Sequence, residues 1–115
     1  MFEIICCRNN DLVGETEYVS DDIAIDVFIR LCRKYIGEAR TFKEDVPFRW
    51  GYHFVALSDQ SGTPNSIMVM MIGLITPAIV QKTHDRLDDV FCNKCEYCGT
   101  RILIDRSKCY SCTGN

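Results

Sequence analysis

Histidine is scarce: the chain has two in 115 residues, His53 and His84. Few schemes that use imidazole as acid, base or metal ligand survive that count. The sequence has no Gly-rich phosphate loop, no His-Glu-x-x-His helix and no Ser nucleophile elbow. No apolar run reaches the ~20 residues that a membrane span needs. The longest, 67–80, is interrupted by Gly73, Thr76 and Pro77, so no membrane partner is expected. The chain begins Met-Phe-Glu-Ile-Ile, with no basic n-region and no long apolar h-region. Secretion is therefore not expected, and the expected compartment is the cytoplasm (the host's, if the chain is phage-encoded). Excess positive charge is also missing. Thirteen basic residues stand against 16 acidic, a net charge of −3. Residues 92–115 carry four basic and two acidic residues, leaving 1–91 with nine basic against 14 acidic. That is not the basic face of a duplex binder.

The chain is rich in cysteine. Five of its eight cysteines fall in the last 24 residues. Four of these form two Cys-x-x-Cys pairs, Cys95/Cys98 and Cys109/Cys112, with ten residues between the pairs. Zn²⁺ takes four soft ligands at tetrahedral corners, and two such pairs supply them. One Zn²⁺ per chain is the expected cofactor. Gly99, directly after Cys98, suits the positive φ that such a knuckle demands, and Gly114 stands two residues beyond Cys112. Between the knuckles, 101–104 reads as a short strand and 105–107 as a turn. Two knuckles joined by a short hairpin resemble a zinc ribbon. The resemblance covers 92–115 alone and rests on Cys-Glu-Tyr-Cys-Gly and Cys-Tyr-Ser-Cys. It implies a binding module, because members mostly bind nucleic acid or proteins in transcription, translation and repair assemblies.

Other chemistries of cysteine compete. Eight is an even number, as disulfides would require, but nothing marks the chain for an oxidising compartment. A redox pair normally sits at a strand-to-helix junction, whereas Cys109/Cys112 lies close to the last residue. Cys92, Cys95 and Cys98 match the first three positions of a bacterial ferredoxin run, but the next cysteine comes too late and no Pro follows it. Cys92 is surplus to the two pairs. It is the alternate ligand if the register shifts to Cys92/Cys95, and otherwise a free thiol at the helix–ribbon junction. Gly99 favours Cys95/Cys98. A nuclease of the HNH type carries similar knuckles but needs a long insert with histidines, which these ten residues do not provide.

The remainder reads as an α+β body, 1–91, followed by the C-terminal ribbon, 92–115. Residues 2–7 are a strand, 8–11 a turn and 15–19 a short return strand. Ser20, Asp21 and Asp22 open a helix that runs to about Ile36, with Gly37 as its stop. Its apolar face is wide, which calls for burial between the sheet and another element, or for a partner. Residues 38–50 read as a loop anchored by Phe42, Phe48 and Trp50. Residues 52–58 are a strand, 59–65 a loop, and 66–75 a central strand apolar on both faces and covered on both sides. Thr76-Pro77 caps a second helix that runs to about Phe91. The order is ββαββα in a mostly antiparallel sheet, then the ribbon.

The leading functional expectation is a non-enzymatic zinc-binding regulator, adaptor or inhibitor that docks on a larger protein or nucleoprotein machine. The alternative is nucleic-acid binding through the ribbon hairpin, with Arg101, Arg106 and Lys108 on phosphates and Trp50 or Tyr110 stacking. The third is a small enzyme pairing Cys6, Cys7 or Cys32 with His53. No catalytic residue is assigned. His84, eight residues before Cys92, reads as a core histidine.

Overall fold

The computed structural model describes residues 1–9, 11–37, 41–45, 53–58, 66–109 and 112. Among the described residues, eight strands and two helices follow one another as β1 (Phe2–Arg8), β2 (Asp11–Leu12), β3 (Glu17–Val19), α1 (Asp21–Leu31), β4 (Thr41–Asp45), β5 (His53–Ser58), β6 (Ile67–Ile72), α2 (Pro77–Val90), β7 (Asn93–Lys94) and β8 (Arg101–Ile102). All strand pairs are antiparallel. The sheet runs β2-β1-β6-β5-β4-β8-β7, with β3 also paired to β1. The fold is therefore α+β.

Alternation along the strands decides which face holds the core, because successive side chains point to opposite sides. Phe2, Ile4 and Cys6 on β1 are buried, as are Ile67, Val69 and Met71 on β6. Pairing of Ile4 with Met71 and of Cys6 with Val69 puts the two sets on one face. Phe54 and Ala56 of β5 join them opposite the same Met71 and Val69. Both helices lie on this face. Ala24, Phe28, Cys32 and Ile36 recur every fourth residue and face the sheet, and Thr83, Leu87 and Phe91 do the same from the second helix. Phe28 meets Phe54 edge-on at 5.4 Å between ring centres. Phe42 and Phe91 rings lie 4.0 Å apart.

Several local expectations need correction. Residues 41–45 are a strand, not loop, because Phe42 supplies a buried anchor and both neighbours, β5 and β8, take up the backbone hydrogen bonds. The return strand after β1 is split in two around Gly14, which stands at φ +72°. Ser20 is the N-cap residue of α1, but its side chain makes no capping bond. Gly37 does not stop the helix in a left-handed conformation: α1 continues as a π-helical turn over Cys32–Ile36, and Gly37 remains right-handed at φ −55° with its N–H on the carbonyl of Cys32. β6 is central, between β1 and β5, but the helices cover only one of its faces. On the other, Met68, Met70 and Ile72 are half-buried. The 59–65 loop and the anchors Phe48 and Trp50 lie outside the described residues, as does Gly114. The second helix matches its reading: Thr76 Oγ1 accepts from Ile79 N at 3.3 Å, and Pro77 is its first residue.

One close approach yields a stability test. A Cβ placed on Gly73 would lie 2.2 Å from the Phe2 ring, and the contact extends to the inner ring carbon at 3.0 Å. Phe2 is itself buried, so the ring has little room to retreat. Gly73→Ala should cost about 1–3 kcal/mol in urea unfolding, and Phe2→Leu in the same chain should return part of it. Equal stability of Gly73→Ala and the parent would contradict the packing.

Candidate metal centre

The tail is attached to the body by hydrogen bonds. β8 pairs with β4, Thr41 opposite Ile102 and Phe42 opposite Arg101, so the hairpin of β7 and β8 extends the main sheet. Ile102 is fully buried and packs on Cys95 and Cys109. The first knuckle then closes on itself. Gly99 N–H reaches the carbonyl of Cys95 at 3.1 Å, with Gly99 at φ +74°, and Tyr97 N–H points at the Cys95 sulfur at 3.5 Å. Cys95 N–H bonds the carbonyl of Thr100 at 2.8 Å. Glu96 N–H bonds the carbonyl of Ser107 at 3.1 Å and ties the first knuckle to the approach of the second.

Cys95, Cys98, Cys109 and Cys112 are brought together, their sulfurs all within 4.8 Å of one another. Cys98 and Cys109 sulfurs are in hydrogen-bond contact at 3.4 Å, and none of the eight cysteines is in a disulfide. Four thiolates around one ion at ~2.3 Å would stand roughly 3.8 Å from each other. The cluster is of that size and could hold a metal ion. Cys95 and Cys109 are buried, whereas Cys98 is exposed. Cys92 is exposed and outside the group.

The electrostatics are those of four thiols crowded together. Burial resists ionisation of Cys95, but backbone groups of Cys109, Cys98 and Tyr97 and the Cys112 thiol bond its sulfur and hold it down at about 6. The Thr100 hydroxyl, 3.0 Å away, leads the groups that hold Cys98 below the usual thiol range. Burial pushes Cys109 up. Cys112 is lowered by the Cys109 thiol but raised more by Cys95, partial burial and Cys98, and ends above the usual range. Cys109 and Cys112, both held above the usual thiol range, are the sulfurs whose protons an incoming cation must displace. Metal binding should therefore release protons, and apparent affinity should fall on acidification. Competition with a chelator at pH 6, 7 and 8 measures the slope; a flat profile would contradict the thiol set.

Two supporting residues were not read from the sequence. Thr100 is nearly fully buried beside Cys98. Asn93 donates its side-chain amide to the carbonyls of Ile104 and Arg106, at 2.5 and 2.7 Å, and so fixes the turn between the knuckles. A Thr behind a knuckle glycine is a recognisable cue. Asn93 could be found only once the hairpin register was known.

The remaining candidates are dispersed. Arg101 is mostly buried and pairs with Asp88 of α2. Arg106 donates from Nε to the carbonyl of Lys108 at 3.2 Å. Lys108 Nζ lies 5.2 Å from the ring centre of the exposed Tyr97. Trp50 and Tyr110 lie outside the described residues. Cys6 and Cys32 are in the core under the helices, with the Phe54 ring against His84. His53 points to the opposite face, in the Glu3–Ile72 row, whereas Cys7 stands in the Met68–Leu57 row. Four strand residues separate those rows by about 13 Å, beyond hydrogen-bond reach.

No protein-family model matches the chain, and no curated protein or solved structure matches it. Among the described residues, no helix is long and apolar enough to cross a membrane.

Proposed function

We propose that the protein is a zinc-stapled docking protein: a non-enzymatic regulator, adaptor or inhibitor that works by binding a larger protein or nucleoprotein machine. The observation that carries this reading is the second face of the sheet. Ile5, Cys7, Leu57, Met68, Met70 and Ile72 stand half-buried there around the buried Val55, while among the described residues both helices pack on the other face. A sheet face left to water usually reads polar, so apolar rows on it fit a surface that a partner covers.

The metal is read as one Zn²⁺ in a closed, ribbon-like site. Four cysteines with no histidine or water position suit a structural ion rather than a catalytic one. Sulfurs within 4.8 Å of each other suit a single ion better than the larger body of an iron–sulfur cluster. The compartment proposed is the cytoplasm.

An affinity pull-down from cell extract tests the reading, with the extract divided into nuclease-treated and untreated halves and the bait analysed for metal. A stoichiometric protein that survives nuclease supports docking; its absence from both halves overturns it. Nucleic-acid binding through the hairpin is the second reading. The stacked pair of Lys108 and the exposed Tyr97 favours it, since cations beside aromatics hold unpaired bases. It requires recovery that vanishes with nuclease and affinity that falls steeply with salt.

A further inference from the structure

Between the π-helical end of α1, the last turns of α2 and the turn after β8 lies a groove of about 680 Å³. This is the size of a ligand site in a small domain. Ile29, Val90, Leu103 and Ile104 make its apolar part, and Ile104 is two-thirds exposed. Among the described residues that line it, Arg33, Lys34 and Arg86 supply three positive charges against the one negative charge of Asp89. That local excess is opposite in sign to the chain as a whole, which carries −3.

The three cations are not equally engaged. Arg86 pairs with Asp26 of α1. Lys34 lies 5.1 Å from the Tyr35 ring centre and has no carboxylate partner among the described residues. Arg33 has no ion pair among the described residues, in a chain with acids to spare. The π turn lies between Ile29 and Gly37 and widens the helix where it forms the groove wall; such turns gather at functional sites. Gly37 closes the end of the groove, with no atom within 4 Å of the position its Cβ would take among the described residues.

We propose that this groove takes a segment of a partner protein that presents aliphatic or aromatic side chains flanked by Asp and Glu. The apolar part receives the hydrophobic side chains, as in helix-in-groove recognition. Arg33 and Lys34 meet the carboxylates and select against basic segments. A nucleic acid would use the cations and leave Ile29, Val90, Leu103 and Ile104 unmatched, so the acidic segment is the better fit. The groove also depends on the metal centre. Leu103 and Ile104 belong to the turn that Asn93 holds, directly after β8, whose Ile102 packs on Cys95 and Cys109. The proposal rests on the docking reading and gives that reading a site and a partner chemistry.

A random library of 14-residue peptides displayed on phage, selected against the whole metal-loaded chain, tests it. The selected peptides should be enriched in Asp and Glu around Leu, Ile or Phe. As fluorescein-labelled synthetic peptides, they should bind at least about tenfold more weakly to Arg33→Glu/Lys34→Glu. Gly37→Phe should have the same effect by filling the groove, since its right-handed backbone accepts a side chain without strain. Lys82→Glu, exposed on α2 and outside the groove, is the control and should bind as the parent does. Circular dichroism and metal content should be unchanged in all three. Peptides without acidic enrichment, no selected peptides, binding that ignores Arg33, Lys34 and Gly37, or displacement by a single-stranded oligonucleotide at lower concentration would each overturn the proposal. The two levels fail separately. If the pull-down captures the same stoichiometric protein with the parent and with Gly37→Phe, docking stands and the groove falls. If peptides bind the groove as described and no protein is captured, the groove's peptide specificity stands, and the docking reading falls together with the partner segment assigned to the groove.

Discussion

Cys95→Ala or Cys109→Ala should take the metal content from about one ion per chain to near zero, and should loosen the chain from β7 onward. Both sulfurs are buried, and Ile102 packs on both. Each replacement removes a thiolate that cannot be supplied by water without opening the site. Structural zinc in isolated finger peptides supplies roughly 10–16 kcal/mol of binding free energy, so little of the tail's order should survive its loss. The knuckle bonds from Tyr97 N–H to the Cys95 sulfur would go with the first variant. Cys92→Ala should retain the full metal content, because Cys92 is exposed and outside the cluster. Elemental analysis after gel filtration, with hydrogen exchange across 92–109, reads both effects. Loss of metal from Cys92→Ala with retention in Cys98→Ala would show that the shifted pair, Cys92/Cys95, is the real one.

The grouping of four sulfurs was legible because Cys-x-x-Cys is a local device. Spacing and a following Gly99 dictate the knuckle whatever the rest of the fold does, and Gly99 does adopt the positive φ that its position implied. The two helices were legible for a similar reason: Thr76-Pro77 starts one, and Asp21 and Asp22 open the other, which carries a wide apolar face. What failed was non-local. Nothing within 41–45 announces a strand. Its place is decided by β5 on one side and by β8, some 60 residues later in the chain, on the other. The π turn was also hidden, since the apolar spacing of Cys32 and Ile36 fits an ordinary helix equally well. The coverage of β6 failed because an apolar strand has the same sequence whether its second face meets a helix of its own chain or is left for another molecule. The groove beside Arg33 was illegible because it joins residues from three separate stretches of chain.

The residue at which body and tail meet is Phe42, and Phe42→Ala is expected to be the most damaging core substitution in the sheet. The side chain is fully buried, and its ring lies 4.0 Å from that of Phe91, where α2 hands over to the cysteine-bearing hairpin. Its backbone pairs with Ser58 of β5 and with Arg101 of β8. Arg101 in turn pairs with Asp88, so strand, helix and hairpin all converge there. A Phe-to-Ala deletion at such a site costs about 3–5 kcal/mol, against a total of roughly 5–15 for a domain of this kind. The same loss should reach the metal, since Thr41 stands opposite Ile102, the residue that packs on Cys95 and Cys109. Yet Phe42→Ala leaves all four thiols in place, and this separates it from the cysteine variants. Excess metal stabilises whatever state can bind it, by about 2.7 kcal/mol at 100 times the dissociation constant. Urea midpoints measured with and without added zinc should therefore rise for Phe42→Ala and stay fixed for Cys95→Ala. If zinc failed to raise the Phe42→Ala midpoint while its four thiols still took up the ion, metal site and core would be energetically separate. The strand pairing of β4 with β8 would then be too weak to couple them.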